Sequence, residues 1–242
     1  METPAAPSTR RPRVLLGLSG SVACIKAPEL VLALSAFAEV RCVATAPALH
    51  FLACPEAAAA DPARLPGRLL AGCQLFVDAD EWRAWEGRGD PVVHLSLRRW
   101  ADLLLVAPLS ANSLAKLSGG QAESLLSCVA RAWDWRRGKP LLVAPAMNTE
   151  MWESPLTGRQ LAVLEGLGAG VVRPVSKRLV CGDVGMGAMA SVEALVDAVK
   201  EALKGYAVVD GVVETESSVA DEELQAVWES GAVEAPHLAA SR

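Results

Sequence analysis

The chain has 242 residues, 52% of them hydrophobic, and a formal net charge of −5. That apolar fraction excludes a disordered chain, and no apolar stretch reaches the roughly 18 residues a membrane span needs. The charge is uneven: residues 205–242 hold eight acidic residues and one arginine, a net −7, which leaves the first 204 at +2 with no basic face for nucleic acid.

Residues 1–12 are rich in Pro, Ala, Ser and Thr and lack an apolar signal core. They are expected to be a disordered lead-in to a cytoplasmic protein, with a short organelle-targeting role as the alternative. Arg13–Leu18 is an apolar run that predicts a strand, stopped by Gly17-Leu18-Ser19-Gly20-Ser21. Helical periodicity follows over Ala23–Phe37, then a second strand over Val40–Thr45. Residues 53–74 are Ala- and Pro-rich with little periodicity and predict a surface excursion.

A third strand is expected at Leu103–Ala107, helices at Ser110–Leu117 and Glu123–Trp133, and further strands at Leu141–Ala144 and Gly170–Arg173. An amphipathic helix at Val192–Leu203 closes the domain. Strands this apolar, alternating with helices, predict an α/β fold with a parallel sheet covered on both faces. One domain over residues 13–204 is expected, followed by an acidic tail, 205–242, that is disordered or a weak helix. The six cysteines are scattered, without a C-x-x-C pair, and most read as small buried hydrophobes rather than disulfides or metal ligands.

Five segments carry candidate chemistry. The loop Gly17-x-x-Gly20-Ser21 joins a strand to a helix, where glycines admit a phosphate and the helix N-terminus offers free N–H groups. It is not G-x-G-x-x-G, and strand two ends Val43-Ala44-Thr45 without the acidic residue that holds an adenosine ribose, so a mononucleotide such as FMN fits better than NAD. Ser110-Ala111-Asn112-Ser113 is a second donor-rich loop; an N-cap and a ligand contact would use the same groups. Pro145-Ala-Met-Asn-Thr-Glu-Met-Trp152 follows a buried strand, at the sheet end where ligands gather. Asn148 there is either a helix cap or a ligand-facing amide. His94 is one of three histidines and the natural acid–base group, although a lone histidine is more often structural. Cys181 lies among Gly182, Gly185 and Gly187, in what reads as a mobile flap able to bring a thiol to a reaction centre.

Together, Gly20-Ser21-Val22-Ala23, His94 with Leu97-Arg98-Arg99-Trp100-Ala101-Asp102, the PAMN-x-x-MW segment and Cys181-Gly182-Asp183 resemble the homo-oligomeric flavin-containing cysteine decarboxylases, in particular the plant-like phosphopantothenoylcysteine decarboxylases. The resemblance covers roughly residues 13–203. It implies a flavodoxin-like Rossmann fold, a homotrimer, bound FMN, and decarboxylation of 4′-phosphopantothenoylcysteine to 4′-phosphopantetheine in coenzyme A synthesis. Thiol oxidation to a thioaldehyde would create the electron sink that lets CO₂ leave, and re-reduction of the enethiol would complete the cycle.

It further implies His94 as base, Cys181 as the flap thiol that protonates the reduced intermediate, and Asn148, Met151, Gly182 and Asp183 at the substrate. Gly20, Ser21, Val22, Thr45, Ser110, Ala111, Asn112, Ser113 and Ala146 match positions that contact FMN. Ala46-Pro47-Ala48 departs from the polar residues usual after the Thr45 position. Trp100 is a candidate interface aromatic for the trimer. Relatives that inhibit a Ser/Thr protein phosphatase carry acidic tails, which makes that role the alternative. A sister FMN enzyme, such as a peptidyl-cysteine decarboxylase or a flavin prenyltransferase, and a pure flavin-binding module are the remaining competitors; the joint His94, Asn148 and Cys181 set disfavours the prenyltransferase and the module.

Overall fold

The computed structural model describes residues 10–54, 69–178, 184–204 and 212–232. Its centre is a seven-stranded sheet in the order β3-β4-β2-β1-β5-β6-β7. The strands are β1 (Arg13–Leu18), β2 (Glu39–Ala44), β3 (Leu69–Leu70), β4 (Cys73–Val77), β5 (Leu103–Leu109), β6 (Leu141–Pro145) and β7 (Gly170–Val171). All pairings are parallel except the β3–β4 hairpin. Among the six parallel strands this is the doubly wound Rossmann order, whose direction reverses between β1 and β5.

Side chains on β1 alternate between two cores. Val14, Leu16 and Leu18 pack with Leu30, Val31 and Leu34 of α1 (Ala27–Ser35) and with Leu195 and Val199 of α9 (Val192–Lys204). Leu15 faces the other side, with Leu97 and Trp100, Leu126 and Val129, and Leu161. Those residues belong to α4 (Val93–Trp100), α6 (Leu125–Arg131) and α8 (Pro155–Gly166). The period of two is what a strand buried on both faces requires.

Several expectations shift in detail. The helix expected over Ala23–Phe37 begins as a 3-10 turn, Val22–Lys26, and becomes α1 only at Ala27, because Pro28 belongs in a first helical turn and not in an interior. The expected excursion at 53–74 ends in β3 and the start of β4, strands too short and too flanked by small residues to announce themselves. Cys73–Val77 leads directly into α3 (Asp78–Arg83). Trp100, the candidate interface aromatic, is 2% exposed. Arg41 and Arg13 stack on its ring at 4.5 and 5.7 Å from the centroid, so it serves the core and not an interface.

The acidic tail is the largest correction. Residues Val212–Ala232 form helix α10, which packs on α4 and α3 rather than running free. Ala220 and Leu224 are fully buried and Val227 nearly so. Asp221 pairs with Arg41 at 2.6 Å and Arg13 at 3.1 Å, and Glu223 accepts from Ser96 Oγ at 2.5 Å. Composition alone hid this, because three apolar residues at helical spacing suffice when the receiving face already carries arginines. No helix among the described residues is long and apolar enough to cross a membrane.

Leu224→Ala should loosen α10 by about 2–4 kcal/mol, the usual cost of a buried leucine cavity. Hydrogen exchange should rise in 93–100 and 212–232 while the amides of β1, β5 and β6 stay protected; unchanged exchange in α10 would contradict the docking.

Candidate active site

The sheet reversal opens a crevice at the carboxyl ends of β1 and β5, and four loops converge there. A buried hydroxyl ties two of them together. Ser19, fully buried, donates from Oγ to Pro108 O at 2.8 Å and accepts from Ser110 N at 2.8 Å. Beyond it, Ser110 caps α5 (Ala111–Ser118), its Oγ accepting from Ser113 N at 3.2 Å. The third loop begins at Thr45, which precedes α2 (Ala46–Leu52) without a side-chain cap. Thr45 Oγ1 is buried and has no hydrogen-bond partner among the described residues.

The crevice has two lobes. The larger, about 530 Å³, is lined by Gly20, Ser21, Val22, Ser110, Ala111, Asn112, Ala146, Asn148 and Met151, with Ile25, Phe51, Met147 and Met189 adding apolar surface. The smaller, about 300 Å³, shares Gly20, Ser110 and Asn112 and adds Thr45, Pro47 and Ser113. Its outer rim carries Asp78 and the ion pair of Lys116 with Glu123. Gly20 is required at the junction, since a Cβ there would lie 2.6 Å from Pro47 Cβ. The two lobes therefore offer a largely apolar chamber beside a nest of hydroxyls and helix-start N–H groups, a pairing suited to an aromatic ring system bearing a phosphate.

The PAMN segment forms the wall of the larger lobe. Ala146 N donates to Leu109 O at 2.9 Å, continuing the β5–β6 pairing past a register break. Asn148 caps α7 (Thr149–Glu153), its Oδ1 accepting from Met151 N at 2.8 Å. The cap reading and the ligand reading of this residue coexist. With Oδ1 engaged, the amide NH₂ keeps both protons without a partner among the described residues, and Asn148 lines the chamber.

Against this wall lies a hairpin of β8 (Val175–Arg178) and β9 (Val184–Ala188). Its glycines serve close approach. Met147 N donates to Gly187 O at 3.0 Å, and a Cβ on Gly187 (φ +129) would fall 2.3 Å from Met147 O. A Cβ on Gly185 would fall 2.3 Å from Thr149 Oγ1. The run that reads as loose in sequence is thus a strand fitted tightly to the PAMN wall. Cys181, Gly182 and Asp183 lie outside the described residues.

Burial pushes the Cys24 thiol up to about 12 and raises Cys42, Cys73 and Cys128 as well, the opposite of the shift that activates a thiolate. Among the described residues no group of three or more His, Cys, Asp or Glu is placed to hold a metal ion.

His94 stands apart. It lines neither lobe and is the second residue of α4, where its Nδ1 lies 2.7 Å from Glu81 Oε1. Glu81 sits one turn beyond Asp78, so the pair lies outside the rim of the smaller lobe. Sequence reasoning missed Ser19 and Glu81. Neither is a defining residue of a spacing motif; Ser19 acts through partners about ninety residues on, and Glu81 reaches across from one helix to the start of the next.

The chain belongs to the Flavoprotein family, whose profile matches residues 3–204. It is 48% identical over 198 residues to phosphopantothenoylcysteine decarboxylase of Oryza sativa subsp. japonica, covering 82% of this chain and 84% of the relative. Against the Mus musculus phosphopantothenoylcysteine decarboxylase the identity is 49% over 205 residues, with 84% and 93% covered. Among solved structures it is similar to the FMN binding protein AtHal3 (47% identity, TM-score 0.71, covering 82% of this chain and 100% of that one). It is also similar to a cysteine-to-serine mutant of PPC decarboxylase complexed with pantothenoylaminoethenethiol (46%, TM-score 0.70, 81% and 100%).

Gly187→Ala should cost about 1–3 kcal/mol, because the backbone there suits glycine and the new methyl meets a carbonyl. The loss should appear as a lower melting temperature and weaker flavin retention; a variant that melts and holds flavin like the parent would refute the close-approach reading.

Proposed function

We propose that this protein is an FMN-dependent phosphopantothenoylcysteine decarboxylase that converts 4′-phosphopantothenoylcysteine to 4′-phosphopantetheine and CO₂. The observation that carries the reading is the crevice itself. All nine residues assigned to the cofactor, on four loops far apart in sequence, line its two lobes.

The fit to FMN rests on the chemistry of the lining. Gly20, Thr45, Ser110 and Ser113 would hold the phosphate, with Thr45 lining the lobe and its buried Oγ1 without a partner among the described residues. Pro47, where the family pattern is polar, packs over Gly20 and leaves Thr45 as the hydroxyl of that loop. Val22, Ala146 and Met147 would flank the ring. When bound, FMN supplies a hydride acceptor and donor, which makes sulfur an electron sink for the departing carboxylate.

The chain's own residues do the rest. Asn148 offers its two amide protons to the substrate carboxylate, and Met151, 52% exposed, closes apolar surface over the substrate beside it. Closing the chamber to water strengthens these contacts. His94 acts as base. Because it lines neither lobe of its own chain, a homotrimer that brings one copy's His94 to another copy's crevice accounts for its role. Trp82 and Trp85, 79% and 56% exposed on the helix and turn beside Glu81, supply apolar surface for that contact. Cys181 is assigned the late proton transfer, with Gly182 and Asp183 beside the substrate. The relative's cysteine-to-serine mutant, complexed with an enethiol, supports that assignment.

A cytoplasmic location fits the five cysteines among the described residues, which are all free thiols. The alternative, inhibition of a Ser/Thr protein phosphatase by an acidic tail, loses ground because Asp221 and Glu223 are spent on α10 docking.

Two measurements test the reading. The purified protein should carry oxidised-flavin absorbance and release CO₂ from phosphopantothenoylcysteine, and Thr45→Val should weaken FMN binding about tenfold, the worth of one hydrogen bond to a charged group. Bound NAD or FAD, or no CO₂, would refute it. Cys181→Ser should release CO₂ no more than once per site and accumulate the enethiol; repeated turnover to 4′-phosphopantetheine would show that another group gives the proton.

A further inference from the structure

We propose that Glu81 is a positioning residue of the decarboxylation: it holds the His94 ring with its proton on Nδ1 and so presents Nε2 as the base. The inference rests on the reading of His94 as base and adds the group that sets its tautomer and aim.

The geometry uses both carboxylate oxygens on one residue. Glu81 Oε2 accepts from the His94 backbone N–H at 2.9 Å, and Oε1 lies 2.7 Å from the ring Nδ1. A carboxylate has no proton to give, so Nδ1 is the donor in that bond. In the neutral ring this leaves Nε2 unprotonated, which is what a base needs. The backbone contact matters as much as the ring contact. It fixes the carboxylate relative to the Cα of His94, so the ring's orientation does not depend on one rotatable bond alone.

The neighbouring acids show that Glu81 is not simply part of a capping cluster. Asp80 accepts from Val77 N at 2.8 Å within its own helix, and Asp78 accepts from Leu125 N at 2.8 Å. Each satisfies one helix start. Glu81 reaches α4, whose own N-cap, Val92, supplies no side-chain acceptor. A cap would need one oxygen. The second oxygen on the imidazole is explained by a ring that must keep one tautomer, the arrangement by which carboxylates orient a catalytic or metal-bound histidine.

The test compares Glu81→Gln, Glu81→Asp and His94→Asn in the flavin-loaded full chain. Glutamine keeps the size but offers both a donor and an acceptor, so the ring loses its reason to keep the proton on Nδ1. Glu81→Gln should lower kcat about 10–100-fold, as loss of an orienting carboxylate does, with KM and flavin content unchanged. Glu81→Asp should recover part of kcat. Nitrogen-15 NMR of the imidazoles, with His94→Asn assigning the resonance, should show Nδ1 protonated in the parent and a mixed population in Glu81→Gln. A parent ring protonated on Nε2, or a Glu81→Gln variant with parental kcat beside an inert His94→Asn, would overturn the inference. Loss of bound flavin or of the folded far-UV spectrum in Glu81→Gln would overturn it too, by making Glu81 a structural cap. An active His94→Asn would instead overturn the reading of His94 itself.

Discussion

The bond pair at Ser19 is the constraint on which the crevice depends. Where a doubly wound sheet changes direction, the loops after the two central strands diverge, and a single backbone bond, Ser19 N to Pro108 O at 3.2 Å, continues the link between them. Ser19 Oγ completes that hold by bridging Pro108 O and Ser110 N, while the Cys24 thiol donates to Ser19 O at 3.2 Å. Each such bond is worth only about 1 kcal/mol net, but losing the hydroxyl would leave the buried Ser110 N–H unsatisfied at about 1–3 kcal/mol, while Pro108 O would keep the Ser19 N–H. The start of α5 is thereby aimed, and with it Ser110, Asn112 and Ser113. The β5–β6 link at Leu109 and Ala146 carries the same alignment to the PAMN wall.

A second rigid unit surrounds His94. The first turn of α4 is held by Glu81, and its last turn by Lys139, whose Nζ donates to Arg98 O at 2.6 Å. Burial lowers that ammonium to about 8, a cost the position accepts because a cation at a helix C-terminus meets the carbonyl dipoles. The outer face of α4 is covered by α10. Burial pulls the Arg41 guanidinium below its ordinary value, and Asp221 works against that shift. Arg41 and Arg13 need such a partner, since both lie on the Trp100 ring with little water. The helix α10 lies beyond residue 204, where the Flavoprotein profile ends. It lies outside the matched region and is laid on the helix that carries His94.

How much of this was legible follows the range of each signal. Strands β1, β2, β5 and β6 are apolar runs with sharp ends, and the structure places them within a residue or two of expectation. The binding loops were legible because glycine, serine and threonine at strand ends have few other uses. What failed to show were features made by distant pairing. The α10 helix has a tail's composition, and its burial depends on Arg13 and Arg41, about two hundred residues away. Ser19 looked like one more serine in a turn, because its partners sit on β5. The glycines of β9 were misread as looseness, since sequence shows a missing Cβ but not what crowds the space it would fill; Met147 O and Thr149 do.

The separation of His94 from the crevice has a consequence for how the activity is organised. Within one chain the donor-rich lobes and the PAMN wall form a receptor, and the α3–α4 unit forms a second device on the far side of the smaller lobe's rim, the one to which we assign the acid–base role. The receptor's stiffness comes from Ser19 and the sheet edge; the device's comes from Glu81, Lys139 and the α10 cover. The two meet at one seam, where Asp78 Oδ1 accepts from Leu125 N at 2.8 Å on the rim of the smaller lobe. If the copies of a trimer supply them to each other, the relative placement of base and substrate is set by the subunit contact and not by the core. Mutations in that contact should then act on turnover while flavin retention, a property of the receptor alone, is preserved. The exposed Trp82 and Trp85, on the device and away from the receptor's lining, are the side chains through which that distinction is drawn.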